Sequence, residues 1–449
     1  MTKPRNPKPK SVPKALRAAR PAAASGRSVG NPSVPGAVVN RRAADRLRAG
    51  HLWVYASDVE SITPPKLGET LLAVADNRGL ILGTALYSPS SQIALRLVSR
   101  DALDEAGWLG LLESRLRAAI ARRKPMLDAA NDACRLCFSE ADELPGLVID
   151  KYGELVILQL LTKGLLSAGA GVAETCVRVL RDELRPAAIM ERPDPRIREL
   201  EGLPAPNLDP LWLADHARPM ASTQFHLNGL VFHYDANAGQ KTGAFLDQRT
   251  NYAAAREWAQ KFGAAKSGFE GRALDVFCYQ GGFALHLSQV CSMVTGIDAS
   301  RASLKVAERN LEANRSCITA DVDWIEADAF EILRDWSQAP RSSGVSYDII
   351  VLDPPAFAKT KRAVEGALRG YKELNLRALK MMRSGGLLVT CSCSHHVSWA
   401  DLESAVASAA ADASRRVRLL ERRGAAPDHP VVLNLPETEY LKCLMLEVE

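Results

Sequence analysis

From about residue 223 to the C-terminus, short apolar runs alternate with stretches of helical spacing, and no other feature constrains the fold as much. The runs are RALDVF (272–277), MVTGID (293–298), VDWIEAD (322–328), YDIIVLD (347–353) and GGLLVTCS (385–392). Helical spacing precedes or separates them at about 247–262, from 283, at 301–314 and at 372–383. Strands joined by helices are βαβ crossovers, which cover a mostly parallel sheet on both faces. The fold class is therefore α/β, and ligands are expected outside the carboxyl ends of the strands.

Upstream residues follow other rhythms. FHLNGLVFHY (225–234) sets Asn228-Gly229 between two apolar runs, the mark of a two-residue hairpin turn. Between 39 and 103 the pattern is short strands and turns, with a hairpin headed by Asp76-Asn77-Arg78-Gly79. The spacing of Trp108, Leu111, Leu112, Leu116 and Ile120 predicts a helix ending near Pro125. Two β segments around Leu144-Pro145-Gly146, a helix at about 170–185 and a strand ending in IMERPD complete an α+β unit. Pro204, Pro206 and Pro210 mark 200–222 as a linker. Four units result: a tail (1–38), a small β domain (39–103), a central α+β domain with linker (104–215) and the α/β domain (216–449).

Charge sets the tail apart. The chain has 57 Lys+Arg and 52 Asp+Glu, a formal +5. Lys3, Arg5, Lys8, Lys10, Lys14, Arg17, Arg20 and Arg27 lie in residues 1–38, which hold no acid, so residues 39–449 keep 49 basic and 52 acidic side chains. The tail is rich in Pro, Ala and Ser and is expected to be disordered, available as an arm for phosphates. The rest of the chain has no global basic field, so nucleic-acid recognition would have to rest on local patches. No uninterrupted apolar run reaches the ~18 residues of a membrane span. Nine scattered cysteines, an odd number, do not make a disulfide framework and point to a reducing cytosol. Cys134-x-x-Cys137 lacks a second Cys/His pair at metal spacing, so buried thiols are expected there and no metal.

The strand ends carry the chemistry. The first reads Asp275-x-Phe277-x-Tyr279-x-Gly281-Gly282, a turn in which backbone can approach a ligand before the next helix begins. The G-x-G-x-x-G of a dinucleotide fold is absent. The second strand ends at Asp298, suited to ribose hydroxyls, and the third at Asp328-Ala329, suited to adenine. Two successive strand-end acids and a glycine turn fit S-adenosylmethionine better than a phosphate-bearing nucleotide, since its ammonium can meet Asp275. The fourth strand ends Asp353-Pro354-Pro355-Ala356-Phe357, where the prolines stiffen the backbone and Phe357 offers a base a stacking face. Enzymes that methylate planar nitrogens in nucleic acids share this signal, so it does not fix the target atom. The fifth strand ends with Cys391 and Cys393, and a thiol facing the same mouth as Asp353 is a candidate nucleophile.

Taken together, these blocks resemble the ribosomal RNA large subunit methyltransferase I family over roughly 39–449. RLRAGHLWVYASDVE (46–60) is similar to the start of the family's PUA domain, an RNA-binding fold. SEADELPGLVIDKYG (139–153) and ERPDPRIRELEGL (191–203) resemble its central α+β domain. GQKTGAFLDQR (239–249), DVFCYQGGFAL (275–285), DPPAF (353–357), RGYKELN (369–375), SCS (392–394), DHPV (428–431) and YLK (440–442) follow its class I (Rossmann-like) methyltransferase domain in order. Gln280, Leu52 and Ala356 depart from the family's usual Thr, Pro and Lys.

The resemblance implies an S-adenosylmethionine-dependent enzyme that forms 5-methylcytosine in large-subunit ribosomal RNA, in the cytoplasm, and leaves a homodimer open. It implies that Lys241, Thr242, Gly243, Phe245, Asp247, Gln248 and Arg249 close over the methyl donor, and that Asp275, Tyr279, Gly281, Asp298 and Asp328 bind it. With these stand their neighbours in the strand-end motifs, Phe277, Gly282 and Ala329. It implies catalytic roles for Cys393, as nucleophile, and Asp353, with Pro354 and Phe357 beside the RNA base. Two rivals remain: a nucleic-acid amino-methyltransferase that needs no thiol, and a non-catalytic RNA-binding assembly factor.

Overall fold

The computed structural model describes residues 36–63, 70–167, 170–203, 209–216, 221–236, 243–339, 346–358 and 360–449. The tail up to residue 35, and Lys241 and Thr242, lie outside the described residues.

The apolar rhythm of the C-terminal domain becomes seven strands. They are β1 (Arg272–Val276), β2 (Met293–Asp298), β3 (Asp321–Glu326), β4 (Tyr347–Leu352), β5 (Met382–Ser392), β6 (Val417–Arg423) and β7 (Lys442–Val448). Their order in the sheet is β3-β2-β1-β4-β5-β7-β6. The first five run parallel, and β7 is antiparallel to both β5 and β6. The helices are α1 (Arg249–Ala265), α2 (Gly282–Leu287), α3 (Arg301–Ala313), α4 (Ala329–Gln338), α5 (Val364–Met381) and α6 (Trp399–Asp412). Alternate strand residues point to opposite faces, so Ala273, Ile349 and Leu387 pack with α1 and α2 while Leu274, Ile350 and Leu388 pack with α5 and α6. Both faces are buried, which is why the strands read as unbroken apolar runs.

The first module is a six-stranded sheet around Val39, Leu72, Val74 and Leu95. Its first strand, Gly36–Val39, begins inside the segment assigned to the tail, because it pairs with both Val59–Thr63 and Leu71–Asp76. It also holds a helix, Arg41–Arg48, where only strands were expected; Asn40 caps it, accepting from the Ala43 N–H. The central domain has a five-stranded sheet covered by the helices Glu105–Arg123 and Ala170–Leu184. Part of the linker expected at 200–222 is ordered: the helix Pro195–Glu201 runs into its first two residues, and Trp212–Leu213 adds an antiparallel edge strand to Ala188–Glu191. Cys134 and Cys137 are buried in this core, and burial pushes the Cys134 thiol up to about 12.

The hairpin Ser222–Leu227/Leu230–Asp235 turns through Asn228 and Gly229, both at positive φ as the two-residue turn requires. It joins the central sheet to the α/β domain in one core: Tyr234 stacks on Tyr152 of the central sheet with ring centroids 4.1 Å apart, and Phe225 and Phe232 join the apolar cluster of α1. Arg123, 1% exposed, ties the same units by polar contacts, pairing with Asp142 and donating to the Asp428 carbonyl.

Candidate active site

The carboxyl ends of β1, β2, β4 and β5 open into one cleft of about 410 Å³. Of the residues singled out in the sequence, Phe245, Asp247, Gln248, Asp275, Phe277, Tyr279, Gly282, Asp298, Asp353, Pro354 and Cys393 line it. Phe225, Phe232 and Tyr252 complete its apolar wall.

The loop after β1 is strained. Phe277, Tyr279 and Gly281 all have positive φ, an arrangement that side-chain-bearing residues hold only when the surroundings enforce it. Two hydrogen bonds do so: the Cys278 N–H donates to the Ile297 carbonyl at 2.9 Å, and the Tyr279 N–H donates to Asp298 Oδ2 at 2.9 Å. Asp298 Oδ1 accepts from the Ser300 N–H. Gly282 needs its hydrogen for a different reason, since a Cβ there would overlap the Tyr252 ring.

Asp275 is the most constrained acid. Its Oδ2 accepts from the Ala284 N–H at 2.8 Å, while its buried Oδ1 has no hydrogen-bond partner. Burial pushes its carboxyl well above the usual range, and the charges of Asp353 and Asp298 push in the same direction against the Ala284 bond. An unpartnered acceptor with a suppressed charge, lining a cleft, suits a cationic ligand group. This fits the ammonium of S-adenosylmethionine, and the close backbone approach at Gly281-Gly282 suits its methionyl end.

Asp353 and Cys393 line the same cleft. Gln248 Nε2 donates to Asp353 Oδ2 at 2.9 Å. Cys393 follows the last residue of β5, is half-buried, and its Sγ lies 3.9 Å from the Pro354 carbonyl oxygen. Cys391, two residues earlier, is instead fully buried and pairs in register with Cys443 of β7; burial pushes its thiol well up. Only the Cys393 thiol of the two opens on the cleft.

Other predicted residues stand outside the cleft lining. Asp328 is the N-cap of α4, its Oδ1 accepting from the Phe330 and Glu331 N–H groups, and Ala329 is the first, buried residue of that helix. Phe357 packs between Phe330 and Tyr371. Gly243 approaches the Tyr234 ring too closely for any Cβ. Arg249 is turned inward, donating to the Ala133 carbonyl at 3.0 Å and pairing with Asp428 at 3.5 Å. Burial raises Asp428, but His429, Arg249 and the Arg135 N–H outweigh it and hold its carboxyl at about 2.

Sequence reasoning assigned no role to Tyr252, Tyr440 or Lys442. The Tyr440 hydroxyl donates to Asp247 Oδ2 at 2.5 Å, and Lys442 lies buried beside the turn that carries Cys393. The YLK block was the one available signal for the last two.

Residues 202–445 match the family model described as S-adenosylmethionine-dependent methyltransferase, and residues 37–100 match the PUA-like domain. The ribosomal RNA large subunit methyltransferase I of Pseudoalteromonas translucida is 34% identical over 408 residues, covering 90% of this chain and 96% of that protein. Its counterpart from Photobacterium profundum is 36% identical over 402 residues, covering 88% and 95%. Among solved structures, a chain from Streptococcus mutans described as a SAM-dependent methyltransferase superposes with a TM-score of 0.73 at 18% identity, covering 91% of this chain and 98% of that one. A methyltransferase structure complexed with SAH gives the same figures. These structures establish the fold as a class I methyltransferase domain preceded by a PUA-like domain, and the family model makes S-adenosylmethionine the cofactor.

Proposed function

Because the chain belongs to the ribosomal RNA large subunit methyltransferase I family, we propose that it methylates carbon 5 of a cytosine in large-subunit ribosomal RNA, through a covalent adduct on Cys393, in the cytoplasm. The observation that carries this reading is the meeting of Cys393, Asp353 and Asp275 in one cleft.

Asp275 receives the donor's ammonium, Asp298 its ribose hydroxyls, and the start of α4 at Asp328-Ala329 its adenine. S-adenosylmethionine supplies, when bound, an electrophilic methyl group on a sulfonium. Carbon 5 of cytosine is a poor nucleophile until the ring is activated. The Cys393 thiolate adds to carbon 6, breaking the 5,6 double bond and moving its electron pair to carbon 5; carbon 5 then takes the methyl group as the donor's S–CH3 bond breaks and leaves its electron pair on the donor sulfur. Asp353 acts at the N3 side as the proton-bearing acid: it donates a hydrogen bond to N3, and its proton offsets the negative charge that addition builds there and returns to the carboxyl group when the sulfur leaves. Loss of the carbon-5 proton to a base re-forms the double bond as the sulfur leaves carbon 6. The cytosine has to be unstacked for sulfur to reach it, which favours a loop or locally opened RNA, with Pro354 and Phe357 beside the base and the PUA-like module holding the flanking strand.

The test is nucleoside analysis of unmethylated large-subunit ribosomal RNA incubated with the protein and labelled donor. The label is expected in 5-methylcytidine. Label on an exocyclic amine would support the amino-methyltransferase instead, and RNA binding without turnover would support the assembly factor.

A further inference from the structure

A cation is buried behind the strand end that carries the proposed nucleophile. Lys442, the first residue of β7, is 3% exposed and pairs in register with Ser392, the last residue of β5. Its Nζ donates to the Ser394 carbonyl at 3.1 Å and to the Tyr440 carbonyl at 2.9 Å. Ser394 is the residue after Cys393, so the ammonium is fixed on the turn that presents the thiol. Both acceptors are neutral carbonyls. Burying an ammonium on neutral dipoles is costly unless a developing negative charge nearby benefits from it.

The groups around Cys393 come from several elements; on its own turn, His395 packs against the Tyr440 ring with centroids 5.6 Å apart. From the end of β4, Asp353 shares the cleft, and the Pro354 carbonyl oxygen points its lone pairs at the sulfur. From α5, the Tyr371 hydroxyl is bonded to Ser392 and Ser394 Oγ, at 2.8 and 3.1 Å. From the segment before β7, the Tyr440 hydroxyl is bonded to Asp247. Burial raises both phenols, so they stay neutral. Burial lowers Lys442, while Glu439, Cys393 and, from α6, Asp401 favour its charged form. Lys442 and Cys393 therefore interact, and a positive Lys442 favours a negative sulfur.

We propose that Lys442 is a positioning residue that holds Cys393 as the thiolate needed for attack on the pyrimidine ring. The inference rests on Cys393 being the nucleophile. In the step concerned, the Cys393 S–H bond breaks, the electron pair stays on sulfur, and the proton leaves to solvent through the cleft. Lys442 keeps its own proton throughout.

The experiment is the pH dependence of iodoacetamide alkylation of Cys393 in the full-length protein, followed by peptide mass spectrometry. The exposed Cys317 serves as internal reference. In the wild type, Cys393 is expected to titrate below Cys317. Lys442→Met is expected to move the Cys393 inflection up by about one pH unit, a ~10-fold slower alkylation near neutrality, with Cys317 unmoved. Lys442→Arg, which keeps the charge, restores most of the rate. A wild-type Cys393 that titrates at or above Cys317 overturns the inference, and that result needs no variant to fold. A Lys442→Met profile superimposable on the wild type also overturns it. Methyl transfer by Cys393→Ala separates the two proposals: a fully active Cys393→Ala removes the nucleophile, whereas an inactive one with an unshifted Lys442→Met profile removes only the role of Lys442.

Discussion

Gln248 Nε2 and Asp353 Oδ2 are 2.9 Å apart, a hydrogen bond that joins the turn before α1 to the end of β4. Gln248 is itself held, its Oε1 accepting from Asn251 Nδ2 at 2.6 Å. On the proposed mechanism, the carboxyl group that meets the substrate ring is thus aimed by a buried amide. Gln248→Leu removes the bond while keeping side-chain bulk. It is expected to lower kcat by ~10-fold or more, from about 1–3 kcal/mol of lost orientation and unpaired polar atoms. Donor affinity, measured by calorimetry, should change far less than kcat.

Asp275 stores a conflict between stability and binding. Its carboxyl is pushed well above the usual range by burial, so the folded state binds the proton more tightly than the unfolded state. Stability is therefore highest below the unfolded carboxylate pKa and is lost as pH rises through the folded one. Asp275→Asn keeps an acceptor for the Ala284 N–H and removes the charge. It is expected to raise Tm by ~2 °C, the equivalent of about 1 kcal/mol, while abolishing measurable donor binding. Differential scanning calorimetry and titration calorimetry read the two effects separately. In the wild type, donor affinity should fall on acidification.

Asp428 behaves in the opposite sense. Its carboxyl is held at about 2, below the ordinary carboxylate, so its contribution is present above the unfolded pKa and lost as pH falls toward 2. Asp428→Asn is expected to cost ~2 kcal/mol at neutral pH. The loss should shrink in denaturant melts repeated at pH 3.

Gly282→Ala places a methyl group into the Tyr252 ring. The expected cost is about 1–3 kcal/mol of overpacking, together with weakened donor binding. Tyr252→Leu in the same chain should recover part of the donor affinity, which binding assays on the single and double variants will show.

The α/β domain was legible because its strands are buried on both faces, and period-two packing of Ala273/Leu274 or Ile349/Ile350 leaves an unbroken apolar signature. The hairpin at Asn228-Gly229 was legible because its turn chemistry is local. The helix Arg41–Arg48 was missed: it is short, and its buried residues are only Ala43, Ala44 and Leu47. In the site, strand-end acids were picked out by position alone, and position does not show which hydrogen bonds each acid makes within the fold. Asp328 caps α4 and Asp275 keeps an unpartnered oxygen. Arg249 and Lys442 illustrate the other limit. Their partners, Asp428 for one and the Ser394 carbonyl for the other, come from distant segments that only the folded sheet brings together.

The central claim is that Cys393 sulfur bonds to the cytosine ring. An RNA fragment carrying 5-fluorocytidine at the target position has no carbon-5 proton to lose, so methylation should arrest at the adduct. Incubated with donor and wild-type protein, it is expected to give a denaturation-resistant protein–RNA band whose cross-link maps to Cys393, and no band with Cys393→Ala. Methylation of the fragment without such a band, or an equal band from Cys393→Ala, would contradict the account.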